Sequence, residues 1–361
     1  MGKSTGRDRL TRRDFFRKSL STAAGLGACL VPGLGRRGAC SPEAASGLAG
    51  SSAGPSGTGS AAGDRETSRA LVLVARRAGG ASDAAAFYTA LLDASVRRLT
   101  GAARTDDAWA SLFSPEDVVA IKVNAITGKT LSTSAVLVEA VTTGLMSCGI
   151  PGKNIVVWDR TTRELADAGF AVNFSGDGPR CFGTDAPSAG YEASPTELGS
   201  VGSCYSRIVT EIATAIINVP ILKEHSLAGI TACLKNNYGA IHNPNKYHDN
   251  GCSPFVADVN SHPAIRRKTR LNVCDARKVQ VHGGPGYKPK WTTDVNGILV
   301  SRDPVALDTV GVEMIDKLRK SAGLRTLREE GRSPRYLAVA SKLGLGVSDR
   351  SRIDVLSLEV P

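Results

Sequence analysis

Among its eight cysteines the chain has no Cys-x-x-Cys pair, so iron–sulfur or structural zinc sites built on local cysteine spacing are not expected. His-x-x-x-His and His-Glu-x-x-His are missing as well, which leaves no compact zinc signature. There is no Walker spacing, no Gly-x-Gly-x-x-Gly after the first strand, and no nucleophile elbow around a Ser or Cys. Internal repeats are also lacking. Strong charge in the folded part is a further absence. The formal charge of +11 suggests nucleic acid, but nine of the 45 basic and two of the 34 acidic residues lie in residues 1–40, leaving about +4 elsewhere. No nucleic-acid partner is expected.

With 361 residues and 42% hydrophobic content, the chain can bury a sizeable core. Its first 40 residues read as a targeting segment. Arg12-Arg13-Asp14-Phe15-Phe16, with Lys18, precedes a short Ala/Gly-rich apolar stretch. A membrane-spanning helix needs about 20 apolar residues, and this stretch is shorter. The pattern resembles a twin-arginine export signal, which implies the twin-arginine translocase as a partner and a periplasmic or other extracytoplasmic destination. Leu26-Gly27-Ala28-Cys29 resembles a permissive lipobox, so membrane attachment is expected only if Cys29 is lipidated, and plain cleavage is favoured. Proteins with and without a cofactor use this route, so it leaves the cofactor open. Residues 41–69 are mostly Gly, Ser, Ala and Pro and read as a flexible tether.

From Ala70 the chain alternates strand-like and helix-like patterns. ALVLVA predicts a strand, Ser82–Leu99 a helix, VVAIKVN a strand, Ser134–Cys148 a helix stopped by Gly149, and NIVVWD another strand. Ala171–Arg207, rich in Gly, Pro, Ser and Asp, reads as a surface insertion or lid. Strand signals return at Glu211–Val219, RLNVCD, NGILVS and Arg352–Glu359, with helices at Pro304–Lys320 and Pro334–Leu343. The expected fold class is α/β, a mostly parallel sheet with helices on both faces, in one domain over residues 70–361. Cys181 and Cys204 bracket the irregular segment and could pair in an oxidising compartment.

Each apolar run stops on charged or amide residues. VVAIKVN delivers Lys122 and Asn124, NIVVWD delivers Asp159, AIINVPILKEH delivers Asn218, Lys223 and His225, and RLNVCD delivers Asp275. Pro220 cannot donate to a ladder, so pairing is expected to stop there, with Lys223 and His225 just past the strand's carboxyl end. In a parallel sheet these ends share one edge, where ligands sit. Beyond His225, Leu227, Ile230, Leu234 and Tyr238 fall on one helical stripe, with Ser226 as N-cap and Gly239 after the end. Such a helix would aim its positive end at the rim and suit an anion.

Lys235 and Asn236 flank that stripe, and a turn-rich loop follows with His242 and His248. Imidazoles near Asp159 or Asp275 could hold a divalent metal, and a proton-transferring histidine fits equally well. His282-Gly283-Gly284-Pro285-Gly286 reads as a tight turn or a close backbone approach to a ligand. Asp303 suits the N-cap of the helix opened by Pro304, with Asp308 one turn further.

In combination, Val119–Asn124, Asn218–His225, TACLKNNYG at Thr231–Gly239, His248, NVCD at Asn272–Asp275, and Asp303-Pro304 with Asp308 resemble the family called domain of unknown function 362. The resemblance runs from about Ala70 to Glu359. Some of its members carry a ferredoxin-like cluster domain, and twin-arginine signals occur among them. This chain lacks the ferredoxin cysteine motif, so an electron-transfer role does not carry over. Ser132-Thr133-Ser134 stands where relatives often have Thr-His or Thr-Asp-Pro, which weakens any metal role at that point. The family brings no established reaction with it.

The sequence thus leads to an exported protein whose strand-end cleft binds an anionic small molecule. Lys122, Lys223 and Lys235 would neutralise charge, Asn124 and Asn236 would orient the ligand, and His242 and His248 would contact it. His225, Lys223 and Asp275 are the expected catalytic groups. Asp159, Asp275 and His225 form the candidate set for a divalent metal. The rival readings are a redox enzyme or maturation factor with a cofactor loaded before export, and a non-catalytic solute-binding protein.

Overall fold

β-branched runs set the architecture. Val119–Val123 and Ala215–Val219 are buried at every position, the pattern of strands covered on both faces. The computed structural model describes residues 69–77 and 83–361. Arg12, Arg13, Cys29 and the tether up to residue 68 lie outside the described residues.

The strands are β1 (Ala70–Arg77), β2 (Val119–Val123), β3 (Ile155–Trp158), β4 (Arg180–Cys181), β5 (Thr196–Leu198), β6 (Val201–Ser203), β7 (Ala215–Val219), β8 (Ile221–His225), β9 (Gly229–Thr231), β10 (Thr269–Gln280), β11 (Thr292–Ser301) and β12 (Ile353–Val360). The helices are α1 (Ala84–Thr100), α2 (Thr105–Ala110), α3 (Ala135–Ser147), α4 (Thr162–Ala168), α5 (Cys233–Asn236), α6 (Phe255–Ser261), α7 (Pro263–Lys268), α8 (Pro304–Ser321) and α9 (Tyr336–Lys342). Ten strands form one sheet in the order β12-β1-β11-β10-β7-β2-β3-β4, with β8 paired to β10 and β9. Its pairings are parallel except those made by β11 and the β8–β9 hairpin. The fold is α/β with a mostly parallel sheet. β5 and β6 form a separate hairpin inside the irregular stretch.

Alternation sorts the strands between two faces. Val119, Ile121, Val123, Ile155, Val157, Ile217 and Val219 pack with α1, α2 and α3 on one side. Ala120, Val156, Trp158 and Ile216 face the other, under α6, α7 and α9. There α8 covers Val72, Leu222, Cys274 and Leu299. Asp83 caps α1 and Asp303 caps α8 through paired backbone amides, as expected for Asp at an N-cap.

Three local expectations change. Pro220 ends β7 and its pairing with β2, but pairing with β10 continues: Asp275 N–H donates to Pro220 O at 2.8 Å and Ile221 opposes Asp275. Lys223 and His225 therefore lie inside β8, a strand of its own. The stripe from Leu227 to Tyr238 is no single helix. Leu227 is 54% exposed at the β8–β9 turn, and only Cys233–Asn236 winds into α5. The turn closes because His225 Nδ1 accepts from Leu227 N–H and Ala228 N–H, each at 3.2 Å. Cys181 and Cys204 carry free thiols.

Candidate functional site

One register line crosses the sheet. Trp158 opposes Lys122, Lys122 opposes Asn218, Asn218 opposes Asn272, and Asn272 opposes Ser301. Trp158, Lys122 and Asn218 sit at the carboxyl ends of β3, β2 and β7, where parallel strands present their last side chains together, and Asn272 and Ser301 carry the row on into β10 and β11. Over that row lies α5, bringing Asn236. Lys122 Nζ donates to Asp159 Oδ1 at 2.8 Å, to Val123 O at 2.6 Å and to Asn236 Oδ1 at 3.4 Å. Asp159 is fully committed, because Oδ1 also accepts from Arg160 N–H and Oδ2 accepts from Ala125 N–H, both at 2.8 Å. Gly239 follows on the turn after α5, so close that a Cβ there would meet Asp159 Oδ1, Lys122 Cε and Lys122 Nζ at 2.8 Å each.

A second group adjoins the first. On β8, Leu222 faces the apolar core and Glu224 pairs with Arg332, while Lys223 and His225 take the opposite face. Lys223 is fully buried, and its Nζ donates to Thr127 Oγ1 at 2.8 Å and Leu131 O at 3.2 Å. Burial pushes this ammonium down to about 7, with the charge of Asp159 opposing the change. His248 donates from Nδ1 to Pro244 O at 3.0 Å, which leaves Nε2 to accept from Lys235 Nζ at 3.3 Å. Lys235 Nζ also sits 3.8 Å over the Tyr238 ring, a cation–π contact. Burial lowers Lys235 to about 8, with Cys252 opposing, and lowers His248, reinforced by Lys235.

His225 stacks on His248 with ring centres 5.9 Å apart. It is pushed down to about 3, first by burial and then by the charges of Lys235, His248 and Lys223. Its Nδ1 already accepts two backbone amides, so the proton of the neutral ring is on Nε2. Protonating Nδ1 would break the β8–β9 turn. In this turn His225 presents Nε2–H as a hydrogen-bond donor.

Lys122, Asn124, Asp159 and Asn236 are joined by hydrogen bonds, Lys235, His248 and His225 form a second chain of contacts, and Lys223 lies close enough to feel the charge of Asp159 and to act on His225. Two expected members fall outside these contacts. Asp275 accepts from Tyr88 Oη at 3.1 Å, Ser134 N–H at 3.0 Å and Arg277 N–H at 3.0 Å, which makes it the acceptor at the start of α3. Burial raises its pKa. His242 is exposed and meets the edge of Tyr191. The proposed metal set of Asp159, Asp275 and His225 does not assemble, since Asp159 serves Lys122, Asp275 serves α3, and His225 Nδ1 serves the turn. Among the described residues no group of three or more His, Cys, Asp or Glu is placed to hold a metal.

The positive end of α5 is not open to a ligand either. Asp308 accepts from Cys233 N–H at 2.7 Å and Leu234 N–H at 3.0 Å, and full burial pushes its pKa up to about 7. The glycine loop serves β8: Gly284 N–H donates to Glu224 Oε2 at 2.6 Å, and a Cβ on Gly284 would meet Glu224 O at 1.8 Å. Two surface hollows of about 830 and 840 Å³ lie elsewhere, beside Asp316 and Arg328 and beside Arg97 and Leu358. Neither contains a histidine or a buried lysine, so the chemistry points to the strand-end cluster. Thr127, Tyr238 and Thr133, whose Oγ1 accepts from Asn124 N–H at 2.9 Å, are site residues that the sequence reading missed. Tyr238 stands three residues after Lys235, the spacing at which helical side chains meet.

These features define an α/β protein with a buried cationic and amide cluster at parallel strand ends. The chain belongs to the family described as Domain of unknown function (DUF362), whose model matches residues 119–313, the span that contains every residue of the cluster. No curated protein matches the chain. A crystal structure of a protein from Thermotoga maritima, a Northeast Structural Genomics Consortium target, is similar at 10% identity with a TM-score of 0.36. That likeness covers 61% of this chain and 58% of the Thermotoga maritima chain.

Proposed function

We propose that the cluster binds a small anionic molecule and that the protein acts on it as an enzyme. The observation that carries this reading is the burial of Lys223 and Lys235 with neutral partners only. Neither has a carboxylate within salt-bridge distance among the described residues, whereas Lys122 has Asp159. A buried ammonium without a counter-ion is costly, and an anionic ligand would supply the missing charge. In this reading Lys223 and Lys235 neutralise the ligand, and His225 Nε2–H donates to an oxygen that gains charge. The Lys235–His248 pair holds a transferable proton. Lys122, Asp159 and the asparagines hold the frame.

Native mass spectrometry of the mature protein from its own host identifies a bound anion, and prolonged incubation with that anion reports turnover. Retention of the anion by the Lys223→Met, Lys235→Met double variant would refute the site. A ligand that binds and is never changed would make the protein a solute binder. Export by the twin-arginine route is proposed from Arg12 and Arg13, and Lys at both positions should hold the protein in the cytoplasm.

A further inference from the structure

Hydrogen-bond directions in the amide row specify more than a charge. Asn272 Nδ2 donates to Ser301 O at 3.3 Å, so its Oδ1 accepts from Asn218 Nδ2 at 3.3 Å. Asn218 Nδ2 also donates to Cys233 O at 2.9 Å, and Asn218 Oδ1 accepts from Asn236 Nδ2 at 2.8 Å. Asn236 Nδ2 donates further to Lys122 O at 3.3 Å, while its Oδ1 accepts from Lys122 Nζ at 3.4 Å and Asn124 Nδ2 at 3.2 Å. Three backbone carbonyls that only accept, and one ammonium that only donates, fix the orientation of every amide up to Asn236. Asn124 is the last link. With its Nδ2 committed to Asn236, its Oδ1 is buried and accepts no hydrogen bond from any described residue.

A buried acceptor without a donor is costly and uncommon. The groups that would meet the anion in the reading above, the Lys223 and Lys235 ammoniums and His225 Nε2–H, are donors. An acceptor-only anion would satisfy those groups and leave Asn124 Oδ1 without a donor. We infer that the ligand carries an O–H or N–H donor beside its negative charge, the shared chemistry of hydrogen phosphate and of a 2-hydroxycarboxylate. This inference rests on the anion-binding reading above and narrows it.

The test is titration calorimetry of the full chain with two matched pairs near neutral pH and at fixed ionic strength. Hydrogen phosphate is compared with sulfate, which has nearly the same size and no O–H, and glycolate is compared with acetate. The donor-bearing member of at least one pair should bind about tenfold or more tightly than its partner, and the pair that shows the preference distinguishes a phosphate from a carboxylate ligand. Asn124→Leu should abolish the preference, so that the two members of the pair bind alike. The wild-type comparison needs no variant to fold. Equal affinities within both pairs, with Lys223→Met weakening all binding, would overturn the donor inference and leave the anion site standing. No binding of any of the four at millimolar concentration would overturn both.

Discussion

Lys122, next to the end of β2, and Lys223, in the middle of β8, are both fully enclosed lysines, yet their surroundings are opposite. Lys122 meets a carboxylate, a backbone carbonyl and an amide oxygen, and that carboxylate is itself saturated by backbone amides. Lys223 meets a hydroxyl and a carbonyl, and Asp159 acts on it through its charge without a direct contact. A satisfied buried ion specifies geometry, whereas an uncompensated one awaits a counter-charge. In the proposed reading the first group is a frame and the second receives the ligand's charge. Substitutions should separate them.

The largest effect is expected in the frame. Asp159→Ala strands the Lys122 ammonium and should cost about 3–5 kcal/mol in urea unfolding; a loss below about 1 kcal/mol would mean that water reaches the pair. Lys223→Met should do the reverse, stabilising the fold by about 1–3 kcal/mol at mildly acid pH, because it removes a poorly compensated charge. The sign follows from linkage. With the folded pKa lowered to about 7 from 10.5, the unfolded chain holds more protons between those values. Wild-type stability should therefore rise with pH across that window, with the full penalty present below it. The methionine variant should lack that rise.

Ligand binding sharpens the same contrast. Near pH 8, binding an anion should take up a fraction of a proton, approaching about one, as Lys223 regains its charge. Calorimetry in buffers of different ionisation enthalpy measures this, and Lys223→Met should remove most of it. His225→Leu leaves two turn amides without their acceptor and should cost about 1–2 kcal/mol in thermal unfolding. A loss confined to activity would show that the turn does not depend on the imidazole. The smallest effect is expected at His242, where alanine should change stability by less than about 0.5 kcal/mol and anion affinity by less than about twofold.

How much was legible in the sequence depended on how local the cause was. The strand and helix alternation, the Asp303 cap and the polar strand ends follow from patterns within a few residues, and the structure has them. The stripe from Leu227 to Tyr238 misled because its register comes from elsewhere: Asp308, 75 residues from Cys233, sets where α5 begins. Asp275 looked like its neighbours at strand ends, but Tyr88 and Ser134, brought in by α1 and α3, claim both its oxygens. The tautomer of His225 depends on a turn that the helical reading did not contain. Thr127 could not be weighted from one sequence, since its role exists only once β8 carries Lys223 against the loop after β2.

The close approach of Gly239 to the Lys122–Asp159 pair has a consequence for solvent. The glycine lets a turn of main chain press flat on the two charges, and so acts as a lid seal that keeps the local dielectric low. An alanine there would act as a wedge: its methyl group has no room beside the carboxylate and the ammonium, so the turn would lift and water would enter beneath it. The electrostatics of the whole strand-end corner are therefore set as much by one missing methyl group as by the charged residues themselves.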